Sequence, residues 1–236
     1  MGTVSDNLRH IHQQIALACE KSARDPGQVR LVAVSKTKPA SAVLEALAGG
    51  QRLFGENRVQ EARDKIPLVA AGQGGEDAQW HLIGPLQRNK VKEAVQLFSL
   101  VHSVDSTALA EALSKRAVKP RPLPVLIQVN VGREPQKKGF MPEQVQEAIE
   151  QMASLDGIRI RGLMTVPPVV AEAEEARPYF RALAQLAHTL EGVGIQGVEM
   201  AELSMGMSHD YPVAVEEGAT LVRVGSALFG ARTSPL

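Results

Sequence analysis

Two cations stand where a folded chain would find them costly. Lys36 follows the apolar run Leu31-Val-Ala-Val-Ser35 and opens Lys36-Thr-Lys38-Pro39, while Arg223 interrupts Leu221-Val-Arg-Val224. The first run is mostly β-branched, the pattern of a strand buried on both faces, so Lys36 stands at a strand's carboxyl end. In parallel α/β proteins the loops leaving those ends form the mouth of the site. An amine beside an apolar core loses hydration, which favours its neutral form, and a neutral amine attacks a carbonyl carbon to give a Schiff base. The alternative is a surface lysine that merely follows a strand. Arg223 needs a partner within its strand, either a buried carboxylate or a pyridine nitrogen. A guanidinium can only donate, so in the second case it would hold that nitrogen unprotonated and weaken the ring as an electron sink.

Small residues are placed where an anion could use them. Ser204-Met-Gly206-Met-Ser208 is expected to leave a seventh strand and Gly225-Ser226 an eighth, so that backbone N–H groups and hydroxyls can approach a ligand. Barrels place phosphate at these two loops, often with a short extra helix, which Ala227-Leu228-Phe229 can supply. Either segment alone is equally an ordinary turn. Together with a strand-end lysine they point to an aldehyde that carries phosphate, for which pyridoxal 5'-phosphate is the candidate. Gly192-Val-Gly194-Ile-Gln-Gly197 has the dinucleotide-binding spacing but follows a helix and opens a strand, so it is read as a helix C-cap and turn. His10 and His12 do not share a helix face, and no metal is expected there.

Positioning these residues requires an alternating chain. Leu8, Ile11, Ile15 and Cys19 recur at helical spacing behind Ser5 or Asp6 as cap, so a helix precedes the first strand. Strands are expected over 29–35, 52–55, 79–83, 100–104, 125–131, 158–164, 197–203 and 220–224. Helices are expected after Pro39 up to Gly49-Gly50, then over 58–69, 87–98, 106–118, 142–155, 172–190 and 211–217. Lys119-Pro-Arg-Pro-Leu-Pro124 reads as a stiff loop. Eight strand–helix units in 236 residues point to an α/β fold, one (β/α)8 TIM barrel with an extra amino-terminal helix, spanning 1–236 as a single domain.

Composition narrows the function classes. The 26 basic and 26 acidic residues cancel, and with only five Phe, two Tyr and one Trp neither nucleic acid nor an anionic membrane is expected as a partner. The single cysteine, Cys19, excludes an internal disulfide and fits a reducing compartment. No apolar run approaches the roughly 20 residues of a membrane helix, and Met1-Gly-Thr-Val-Ser-Asp6 has no signal-peptide pattern, so a cytoplasmic protein is expected.

Six segments carry a resemblance. They are Ala33-Val-Ser-Lys36-Thr-Lys38-Pro39, Phe54-Gly-Glu-Asn57-Arg-Val-Gln-Glu61, Trp80-His81-Leu-Ile-Gly84-Pro-Leu-Gln87, Gly162-Leu-Met164-Thr165, Leu203-Ser-Met-Gly-Met-Ser208 and Val222-Arg-Val-Gly-Ser226. In this order they closely resemble the pyridoxal phosphate homeostasis protein family, whose members are barrels related to the amino-terminal domain of alanine racemase. The resemblance implies that Lys36 holds pyridoxal phosphate as a Schiff base and that Arg223 faces the pyridine nitrogen. Ser204, Gly206, Ser208, Gly225 and Ser226 would surround the phosphate, with Asn57, His81 and Met164 near the ring. Lys137 matches a loop lysine implicated in handing the cofactor on; beside Lys138, it is alternatively part of a solvated basic loop. His209 stands where the family often has Asp or Ala, and Gly132 also varies.

The implied function is vitamin B6 homeostasis, in which pyridoxal phosphate is buffered or delivered to apo-enzymes that need it. The alternative is a weak amino-acid racemase. Alanine racemase takes a second base, a tyrosine, from a carboxy-terminal β-domain across a dimer. Here eleven residues follow Gly225, and the two tyrosines, Tyr179 and Tyr211, fall on an expected helix and at a helix start. A monomeric carrier without turnover is therefore the expectation.

Overall fold

The structure, a computed structural model, describes residues 2–117 and 121–230. The β-branched runs form eight parallel strands: β1 (Arg30–Val34), β2 (Leu53–Glu56), β3 (Gln79–Leu82), β4 (Leu100–Val104), β5 (Leu123–Gln128), β6 (Ile158–Met164), β7 (Glu202–Met207) and β8 (Leu221–Val224). Each pairs with the next, and β8 closes on β1 with Val32 beside Arg223. Around this barrel lie α1 (Val4–Lys21), α2 (Ala40–Ala48), α3 (Val59–Ala70), α4 (Val91–Leu97), α5 (Thr107–Arg116), α6 (Val145–Met152), α7 (Arg177–Val193), α8 (Tyr211–Glu216) and α9 (Ser226–Phe229). The expected (β/α)8 barrel with an additional first helix is the fold observed. Among the described residues no helix is long and apolar enough to cross a membrane.

Side chains alternate along each strand, so the apolar interior divides in two. Leu31, Ala33, Val222 and Val224 pack outward in one large cluster with residues of the helices. Val32, Leu53, Leu100, Leu126, Met164 and Leu221 form a smaller cluster inside the barrel. His102 stands two residues after Leu100 and Arg223 two after Leu221, so both face that interior above its apolar floor.

Several boundaries differ from the expected ones. Thr3, rather than Ser5 or Asp6, caps α1; its hydroxyl accepts from the Asp6 amide at 3.1 Å while Asp6 accepts from the Thr3 amide, a reciprocal box. The helices expected from 87, 142 and 172 begin as single 3₁₀ turns, Arg88–Lys90, Pro142–Gln144 and Ala173–Ala176. β5 starts earlier and takes Pro124 into the strand beside Arg159 of β6. The beginning of the proline-rich connection and the last residue of the helix expected over 106–118 lie outside the described residues. β7 starts at Glu202 instead of 197, because Gly194 caps α7 in the left-handed region and Gly197 holds a turn at φ 80°. Pairing with β6 then begins at Gly162 beside Glu202. This shift carries Ser204 and Gly206 from a loop into the strand.

Candidate functional site

The carboxyl ends of the strands open into a cavity of about 600 Å³, a size suited to a small ligand. Of the residues singled out in the sequence, Lys36, Asn57, Met164, Ser208, Arg223, Gly225 and Ser226 line it. They come from the ends of β1, β2, β6, β7 and β8, so barrel closure brings together positions up to 190 residues apart. His81, Ser204 and Gly206 do not line the cavity, and Lys137 sits beside its rim.

Arg223 is 5% exposed and its partners are not carboxylates. It donates to Ser204 Oγ at 2.6 Å and to the Thr165 carbonyl at 2.8 Å. Burial lowers its pKa to about 10, opposed by the charge of Asp210, so it stays protonated at neutral pH. Its permanent donors fix the direction of everything behind it. The Ser204 hydroxyl accepts from Arg223 and has one hydrogen left, which goes to His102 Nδ1 at 2.8 Å. A neutral His102 then carries its proton on Nε2 and donates it to His81 Nδ1 at 2.9 Å. His81 is consequently an Nε2–H tautomer. Both imidazoles are held neutral: burial, with the charge of Arg30, pushes His81 down to about 3, and burial, His81 and Arg223 push His102 well below the usual range. Ser204 thus links Arg223 to His102 by hydrogen bonds.

Elsewhere in the cavity lining, Ser208 Oγ accepts from the amides of Gly225 at 3.1 Å and Ala227 at 3.4 Å. With its lone pairs so engaged, its O–H is available to donate. Gly206 is explained by packing: it holds φ 86° in a β7 irregularity, and a Cβ there would lie 2.5 Å from Ala214 Cβ of α8. Gly84 similarly lets the chain close on Asn57, whose carbonyl oxygen would lie 2.3 Å from an added Cβ. Lys137 reaches the Pro167 carbonyl at 2.8 Å and Glu134 at 2.5 Å, which ties its loop to the segment after β6 that lines the cavity. Lys138 instead pairs with Asp105 at 3.4 Å.

Lys38, Gln128 and His209 also line the cavity. Lys38 donates to the Phe229 carbonyl at 3.0 Å. Its signal was its place in the same strand-end motif as Lys36, and that of Gln128 was a polar residue ending an apolar strand. His102 was announced by a polar residue inside Leu100-Val-His-Ser-Val104. Among the described residues no carboxylate lines the cavity, whereas two lysines and one arginine do.

The model for the alanine racemase N-terminal domain matches residues 7–233. A Vibrio alginolyticus protein named pyridoxal phosphate homeostasis protein is 42% identical over 233 residues, covering 98% of this chain and 99% of its own. The solved structure of PipY from Synechococcus elongatus PCC7942 with PLP bound superposes with a TM-score of 0.83 at 39% identity, over 97% of this chain and 100% of that one. Alanine racemase from Corynebacterium glutamicum shares the fold, with a TM-score of 0.70 at 18% identity, over 97% of this chain and 61% of that one.

Proposed function

The chain belongs to the pyridoxal phosphate homeostasis proteins, within the alanine racemase N-terminal domain family, and from that premise we propose that it binds pyridoxal 5'-phosphate in this cavity and serves the homeostasis of that cofactor. The observation that carries the reading is the donor set: a strand-end amine, a buried guanidinium and hydroxyl donors around a cavity without a described carboxylate. Pyridoxal phosphate supplies an aldehyde carbon, a pyridine ring and a phosphate dianion. The residues fit each part. Lys36 is the amine that holds the cofactor covalently. Arg223, which can only donate, faces the ring nitrogen. Ser208 and Ser226, which line the cavity, would offer hydroxyls to the phosphate, and Lys38 would add positive charge. Asn57 and Met164, which also line the cavity, would stand near the ring.

The carrier reading is favoured over a racemase by where the tyrosines lie. Tyr211 is buried behind Gly206, and neither it nor Tyr179 lines the cavity, so no phenol stands across from Lys36 as a second base. The cofactor passes to apo-enzymes that require it, in the cytoplasm. The test is to mix the loaded protein with such an apo-enzyme and, separately, with L-amino acids in deuterated water. Reactivation of the enzyme faster than release of cofactor into buffer supports the carrier. Uptake of α-deuterium faster than with free pyridoxal phosphate overturns it in favour of the racemase.

A further inference from the structure

A cluster of acidic and basic side chains, two of them buried, lies outside the cavity, and the site as described makes no use of it. Lys65 of α3 is 7% exposed and Glu56, which ends β2, is 0% exposed. An ammonium has three donors. Those of Lys65 reach the Ser35 carbonyl at 2.7 Å, Glu56 Oε1 at 2.7 Å and Glu61 Oε1 at 2.8 Å. Ser35 also donates its hydroxyl to Glu56 Oε1 at 2.7 Å. Glu61 Oε1 in turn accepts from the Thr37 amide at 2.5 Å.

The Ser35 carbonyl belongs to the peptide group that precedes Lys36, and the Thr37 amide to the one that follows it. Both are therefore tied to a single nitrogen, Nζ of Lys65, the first directly and the second through Glu61. The turn needs such a tie. Thr37 sits at φ 64°, in the left-handed region that a β-branched residue avoids, and such backbone persists only where its surroundings over-determine it. Burying the Glu56 carboxyl group against an ammonium is also a poor route to stability, since apolar side chains of similar volume often do as well.

We propose that Glu61 and Lys65 are positioning residues for Lys36: together they clamp both peptide groups that flank it and so hold its amine at the strand end. This rests on the reading of Lys36 as the residue that takes the cofactor. Glu61 is the residue to test, because its side chain is a quarter exposed and its truncation does not hollow the core. The full-length protein, its Glu61→Ala variant and its Glu61→Gln variant are titrated with pyridoxal 5'-phosphate and reduced with borohydride, and the modified fraction of Lys36 is read by peptide mapping. Amide exchange at Thr37 is measured on the same proteins without cofactor.

Glu61→Ala is expected to need about tenfold more cofactor for half-modification and to exchange the Thr37 amide about tenfold faster, the effect of losing one hydrogen bond to a charged group. Glu61→Gln keeps an oxygen that accepts from both Thr37 and Lys65 and is expected to stay within about threefold of the unaltered protein. If Lys36 is modified equally readily in Glu61→Ala, the clamp is refuted although the cofactor reading stands. If Glu61→Gln is as impaired as Glu61→Ala, charge rather than hydrogen bonding governs the turn, and the clamp is again refuted. If the unaltered protein takes cofactor on a lysine other than Lys36, the reading itself falls, and the clamp with it.

Discussion

Mild acid should destabilise this protein through two histidines inside its barrel. In the unfolded chain each imidazole has the ordinary value of 6.5, whereas in the fold His81 is held at about 3 and His102 well below 6.5. The folded values lie below the unfolded ones, so between them the unfolded chain binds more protons. Stability is then complete above the unfolded value and is lost as pH falls below it. From pH 7 to 5.5 it is chiefly the unfolded chain that takes up these protons, so the loss is about 1 kcal/mol for each histidine and about 2–3 kcal/mol for the pair. For a chain of this size that lowers Tm by about 5–10 °C. His12, whose pKa desolvation lowers, acts in the same direction. Glu56, whose carboxyl is raised by burial, acts in the opposite one, so the Glu56→Gln variant belongs in the comparison. The assay is urea unfolding across pH 7 to 5.5, with NMR of the six imidazoles in the folded protein. A flat stability profile, or folded His81 and His102 titrating near 6.5, would refute both their neutrality and the hydrogen-bond direction assigned to the chain from Arg223.

The same chain predicts the effect of Ser204→Ala. It leaves the Arg223 donor and His102 Nδ1 without their shared partner and should cost about 1–3 kcal/mol in urea unfolding, while also weakening cofactor retention. Retention unchanged in a destabilised Ser204→Ala protein would show that Arg223 needs no anchor. Gly206→Ala should lower stability by about 1–3 kcal/mol, because φ 86° and the wall of α8 both resist a methyl group. A thermal melt that matches the unaltered protein would mean that β7 relaxes freely there.

The barrel was legible in the sequence because parallel strands buried on both faces announce themselves as continuous apolar runs. Helical periodicity filled the gaps between them. The start of β7 was not legible: the mixed stretch Val198 to Leu203 marks no clear beginning, and two glycines with positive φ delay its pairing. That displacement is why Ser204 and Gly206 looked like loop residues although both lie in β7. Lys36 and Arg223 stood out because a charge at the end of, or within, an apolar strand is rare. Their supports did not. Lys65 and Glu61 read as ordinary polar residues of an amphipathic helix, and nothing local indicates that one reaches Ser35, 30 residues away, across the β1–β2 edge. His102 was visible as a polar residue in an apolar run, but its partner is 102 residues distant. Only closure of the barrel makes that pair.

The central claim is that Lys36 carries pyridoxal phosphate in a cavity whose described charges are cationic. Its most direct test is the absorbance spectrum of the purified protein with added cofactor, before and after borohydride, followed by peptide mapping. The protein should be coloured, reduction should bleach it and fix the cofactor on the Lys36 peptide, and Lys36→Ala should remain colourless and unlabelled. A protein that takes up no cofactor, or a Lys36→Ala variant that is labelled as fully as the original, would contradict the account.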